Sequence, residues 1–107
     1  MISTHVLDTS KGIPADGIVV KLRRREGEAW KEIGRGVTGK DGRYAFDCEK
    51  KPGVYQLFFE IEEYLKQESR DFFFIRAPLV FKIEDVTRKY HVPLLLNPFG
   101  YTTYRGS

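Results

Sequence analysis

The chain has 107 residues, which is room for one domain over 1–107 with one core. It is 41% hydrophobic and 31% charged, and 18 basic against 15 acidic residues leave a net charge of +3. Charge this mild and interspersed argues against nucleic acid as a partner, and with no apolar run of transmembrane length a membrane is not expected either. A chain of this size buries roughly 60–70% of its unfolded surface. Little volume is left for a deep pocket, so a small-molecule site should be a surface cleft or be shared between subunits.

Met1–His5 lacks the charged and apolar regions of a secretory leader, and Arg105-Gly106-Ser107 is not a peroxisomal address, so the expected location is cytoplasmic. In the first strand Ile2, Thr4 and Val6 share one face, and Ser3, His5 and Leu7 the other. Residues 11–17, with two glycines and a proline, form a loop. Ile18, Val20 and Leu22 alternate with Val19, Lys21 and Arg23, and Arg23-Arg24-Arg25 is a solvated strand end. Lys40-Asp41-Gly42 signals a tight hairpin. Tyr44, Phe46 and Cys48 then alternate with Arg43, Ala45 and Asp47. Cys48, the single cysteine, excludes an internal disulfide and is expected to be a buried small hydrophobe.

After a turn at Lys51-Pro52-Gly53, Tyr55, Leu57, Phe59 and Ile61 alternate with polar neighbours and Phe58. Residues 62–68, Glu-Glu-Tyr-Leu-Lys-Gln-Glu, predict one short helix. Leu79, Phe81 and Ile83 mark a further strand, as do Tyr90, Val92, Leu94 and Leu96, with His91, Pro93 and Leu95 opposite. Asn97-Pro98-Phe99-Gly100 is a turn. Short strands separated by polar turns predict an all-β sandwich rather than βαβ units.

His5, Arg43 and His91 each point away from the richest apolar set of their own strand. If these strands share a sheet, a His/Arg/His cluster lies on its outer face among Leu7, Pro93 and Leu95. Leucines on such a face mark an interface or groove, so a second subunit should cover it. Taken singly the residues are bland: a histidine on a strand is commonly a surface residue, and Arg43 after Asp41-Gly42 reads as a hairpin residue. Two histidines without a third ligand do not make a zinc site, so no metal is expected. Neither a phosphate-binding glycine loop nor a nucleophile elbow is present.

Longer motifs narrow the choice. Ser3-Thr4-His5-Val6-Leu7-Asp8-Thr9-Ser10, followed by Gly12, Pro14 and Ala15, resembles the N-terminal signature of the 5-hydroxyisourate hydrolases, a transthyretin-like protein family. Tyr90-His91-Val92-Pro93-Leu94-Leu95-Leu96, then Pro98, Gly100 and Tyr101, and the closing Tyr104-Arg105-Gly106-Ser107, resemble the C-terminal one. Gly36-Val37-Thr38 with Asp41-Gly42-Arg43 is similar to the central motif, and Pro52-Gly53-Val54-Tyr55 follows in order. The likeness spans the chain, and Tyr-Arg-Gly-Ser, which separates the enzymes from transthyretin itself, is its most specific part. Residues 69–78 depart from it, where relatives tend to a Phe-Tyr-Pro-Glu-like sequence.

The resemblance implies a transthyretin sandwich of two four-stranded sheets with one short helix, assembled as a homotetramer with sites between dimers. It implies hydrolytic ring opening of 5-hydroxyisourate to 2-oxo-4-hydroxy-4-carboxy-5-ureidoimidazoline in urate (purine) breakdown, without a cofactor. His5, Arg43 and His91 match the catalytic trio, and Tyr104 and Ser107 match positions that contact substrate alongside His5 and Arg43. Either histidine could activate water, with Arg43 stabilising charge and keeping the imidazoles neutral. Two alternatives share the fold: a non-catalytic transthyretin-like carrier of an aromatic ligand, and an accessory module of larger secreted proteins.

Overall fold

The computed structural model describes all 107 residues apart from the side chain of Glu68. The strands are β1 (Ile2–Asp8), β2 (Ile13–Pro14), β3 (Val19–Glu26), β4 (Ala29–Val37), β5 (Arg43–Phe46), β6 (Gly53–Glu60), β7 (Arg76–Ile83), β8 (Tyr90–Asn97) and β9 (Gly100–Thr103). One helix, α1 (Glu62–Lys66), continues into a 3₁₀ turn over Gln67–Ser69, matching the helix expected at 62–68.

Two sheets face each other. In the first, β1 pairs in parallel with β8, and β9 extends β8 antiparallel. The other edge of β1 is shared: β5 covers Ile2 to His5, and β2 covers Leu7 and Asp8. The expected four positions are therefore present, one of them split between two strands. The second sheet runs β4-β3-β6-β7, antiparallel throughout. Between the sheets lie Ile2, Val6, Val20, Leu22, Tyr55, Leu57, Phe59, Leu94 and Leu96, all fully buried. These are the positions that the alternation assigns inward, and each such side chain contributes roughly 1.5–3 kcal/mol by leaving water.

Several features depart from expectation, the smallest being β2, which lies within the loop expected at 11–17. No alternation announces β4, because its inward positions opposite Val20 and Leu22 are Gly36 and Gly34. Aromatic rings of β5 occupy that space: a Cβ on Gly36 would run into Tyr44, and one on Gly34 would lie 2.9 Å from Phe46. Cys48 lies past the end of β5 and is half-buried rather than buried; desolvation still pushes its thiol up. The basic run is less solvated than expected, for the Arg23 guanidinium lies 4.2 Å from the Phe58 ring centre and donates to Gln56.

Asp8 ends β1 wholly buried. Burial alone would raise its carboxyl, but hydrogen bonds from Ser10, Tyr64 and Arg70, with the charge of Arg70, outweigh this and hold it below the ordinary carboxylate range. Tyr64 of α1 donates to it at 2.8 Å, which fixes the helix against the first sheet. Desolvation, then this bond, pushes the Tyr64 phenol up to about 12. The divergent segment 69–78 is anchored at the same end: Arg70 reaches Asp8 at 3.2 Å, and the Phe73 N–H donates to the Pro98 carbonyl at 2.8 Å.

Gly42 sets the start of β5. Its φ is +76°, its carbonyl accepts from the Val6 N–H at 2.8 Å, and an added Cβ would strike the Val6 carbonyl oxygen. Gly42→Ala should therefore destabilise the fold by roughly 1–3 kcal/mol, seen as a lower urea midpoint at unchanged slope.

Candidate active site

β1, β5 and β8 lie side by side, and their registers decide which side chains meet. His5 stands directly opposite Arg43 in the antiparallel β1–β5 pair. Ser3 is paired with His91, and His5 with Pro93, in the parallel β1–β8 pair. Residues opposite one another across a ladder project to the same face. Ser3, His5, Arg43 and His91 thus share the outer face of the first sheet, with Leu7, Pro93 and Leu95 beside them. Strands from the beginning, middle and end of the chain create this site.

An open cleft on that face is lined by Ser3, Thr4, Arg43, Tyr44, Ala45 and His91. Its floor is fixed by Thr4, whose buried hydroxyl donates to the Val92 carbonyl at 2.7 Å. Arg43 is exposed, while His5 and His91 are half-buried. The Asp41 carboxylate accepts the Arg43 N–H at 3.0 Å and shapes the turn that aims the arginine.

Burial lowers the His91 pKa below the ordinary value of 6.5, and the nearby charges of Arg43 and His5 lower it further. At neutral pH its imidazole is uncharged. Ser3 Oγ lies 2.9 Å from His91 Nδ1. The chain end is laid against the same residue: the Gly106 N–H donates to the His91 carbonyl at 2.7 Å, and a Cβ at Gly106 would stand only 2.7 Å from His91 Cδ2. No other residue type fits there without moving the ring or the tail.

The structure thus brings His5, Arg43 and His91 together and carries Ser107 next to His91 through Gly106. Tyr104 goes elsewhere: 57% exposed, it lines a neighbouring cleft with Leu79, Val80, Tyr90 and Val92, rimmed by charged residues such as Asp85 and Arg88. Ser3 is not singled out by the sequence, where its signals are that it shares a face with His5 and opens the N-terminal motif. Among the described residues no group of three or more His, Cys, Asp and Glu side chains could hold a metal ion. A neutral imidazole near a guanidinium can take a proton from water while the cation balances charge building on an oxygen.

Comparison with known proteins extends this picture. Residues 2–106 match the HIUase/Transthyretin family. A 5-hydroxyisourate hydrolase of Mus musculus is 44% identical over 99% of this chain and 94% of its own length. Among solved structures, the 5-hydroxyisourate hydrolase of Klebsiella pneumoniae superposes with a TM-score of 0.85 at 38% identity, covering 99% of this chain and 98% of that one. Sea bream transthyretin in complex with thyroxine superposes with a TM-score of 0.91 at 29% identity, covering 98% and 93%. Backbone shape alone does not separate an enzyme from a carrier here. Identity does, and it favours the hydrolases.

Proposed function

Because the chain belongs to the HIUase/Transthyretin family, we infer that it is a hydrolase that opens the ring of 5-hydroxyisourate. The observation that carries this is a neutral His91 and Arg43 lining one cleft, with His5 directly opposite Arg43 on the same sheet face.

Water must lose a proton as it attacks the ring amide carbonyl, and the carbonyl oxygen gains charge. An imidazole accepts that proton, and general base help of this kind is worth about 10²–10⁴-fold. The Arg43 guanidinium, permanently charged and fork-shaped, stabilises the developing oxyanion and clamps the anionic ring. When the C–N bond breaks, the imidazolium returns its proton to the departing nitrogen, and the carboxylic acid left on the acyl carbon releases the second water proton to solvent. His5, Arg43, Tyr104 and Ser107 orient the ring. Support for Ser107 is its place beside His91; for Tyr104 it is the sequence motif, since in the single chain its ring faces the neighbouring cleft.

A homotetramer with the cleft enclosed between subunits belongs to the same proposal. In its favour, Leu7 and Leu95 on the cluster's face are only half-buried, and Ile13 and Phe99 near by in sequence are exposed. Action in the cytoplasm is part of the same reading.

Generating 5-hydroxyisourate in situ with urate oxidase and following its ultraviolet decay tests the assignment. Decay should accelerate in proportion to added protein; a rate equal to the spontaneous one refutes the activity. Because the His91 pKa is lowered, its neutral form persists below the ordinary range. The acid limb of the rate profile should therefore have its midpoint below the ordinary imidazole value of 6.5, where the imidazole becomes charged; a midpoint above it would contradict the assignment.

A further inference from the structure

His91 is held on two sides, by Ser3 at Nδ1 and by the backbone of Gly106 against the Cδ2 edge. With Nδ1 taken by Ser3, Nε2 is the ring nitrogen left to meet water in the cleft. A neutral imidazole carries one ring proton, and the nitrogen that bears it decides what Nε2 can do. With the proton on Nδ1, Nε2 is a lone pair that accepts from water. With the proton on Nε2, it is a donor and cannot.

We propose that Ser3 is a positioning residue whose Oγ accepts a hydrogen bond from His91 Nδ1–H, fixing the tautomer in which Nε2 is free to take a proton from water. Resting on the hydrolase assignment above, this deepens it by making His91, rather than His5, the group that activates water. The cleft's charge supports this tautomer. Arg43 lines the same cleft, and a positive field favours a lone pair facing it over an N–H dipole. The course of the reaction favours it too. As water attacks, one O–H bond breaks, its proton goes to Nε2 and the oxygen bonds to the carbonyl carbon. His91 becomes an imidazolium with two N–H donors, while Ser3 continues to accept from Nδ1 without reorienting. A hydroxyl that began as the donor would have to rotate at that moment, losing the benefit of a site arranged in advance.

The tautomer can be read without substrate, from a long-range ¹H–¹⁵N spectrum of uniformly ¹⁵N-labelled protein above the His91 titration range. Wild type should show His91 with a protonated Nδ1 and a bare Nε2. Ser3→Ala should shift the ring toward the Nε2–H form that a free imidazole side chain prefers. It should also lower kcat about tenfold with KM nearly unchanged, at the low end of what orienting partners contribute. Ser3→Thr, which keeps the hydroxyl, should restore both. A wild-type ring protonated at Nε2, or a tautomer ratio that Ser3→Ala leaves unchanged, overturns the proposal. If wild type shows the Nδ1–H tautomer yet fails to accelerate 5-hydroxyisourate decay, the hydrolase assignment falls and the Ser3 contact stands.

Discussion

Arg43→Ala should lower kcat by about 10²–10³-fold, equivalent to about 2.7–4 kcal/mol of lost charge stabilisation. The fold should survive, because the Arg43 side chain is exposed and its strand is held by Tyr44 and Phe46 packing into the sandwich. Thermal melting by circular dichroism checks that half of the expectation, and steady-state decay of in situ 5-hydroxyisourate checks the other. A second signature separates electrostatics from simple damage. The guanidinium is one of the charges that lower the His91 pKa, so removing it should move the acid limb of the pH–rate profile upward. Arg43→Lys keeps a charge but loses the fork, and should recover the profile more fully than the rate. An Arg43→Ala enzyme with wild-type kcat would remove the arginine from the chemistry.

Gly106→Ala should cost about 10²-fold in kcat/KM, the scale on which a shift of about 1 Å at a reacting group is felt. The new Cβ would sit 2.7 Å from His91 Cδ2 and 3.2 Å from the His91 carbonyl oxygen, so ring or tail must give way. Either movement breaks the alignment of the imidazole and displaces Ser107. Stability should change by less than about 1 kcal/mol, since the chain end adds almost nothing to the core. Full activity in Gly106→Ala would show that the tail does not hold His91.

Much of the sandwich could be read from period-2 alternation, because its inward positions are filled by large apolar side chains. β4 escaped for the opposite reason: its inward residues are Gly34 and Gly36, and the apolar volume there belongs to Phe46 and Tyr44 of another strand. No alternation announces β9 either: it is a four-residue edge strand whose first residue belongs to the turn at 97–100 and whose one packed side chain is Tyr101. The outward direction of His5, Arg43 and His91 was legible in each strand separately. Their adjacency was not, since the parallel pairing of β1 with β8 joins residues 88 positions apart and leaves no local pattern. The Ser3–His91 contact was hidden for the same reason. Cys48 looked like the next inward residue of β5, but the strand ends at Phe46 and leaves the thiol only half covered. Segment 69–78, where the sequence departs from its relatives, supplies no residue to the His/Arg cleft.

Where the substrate ring sits is the point on which the catalytic assignment turns, and a titration of ¹⁵N-labelled protein with urate, the parent ring that this chemistry leaves intact, locates it. Resonances of Ser3, His5, Arg43, His91 and Gly106 should shift together and saturate. Shifts confined to Leu79, Val92 and Tyr104 around the neighbouring cleft, with His91 and Arg43 unmoved, would contradict it.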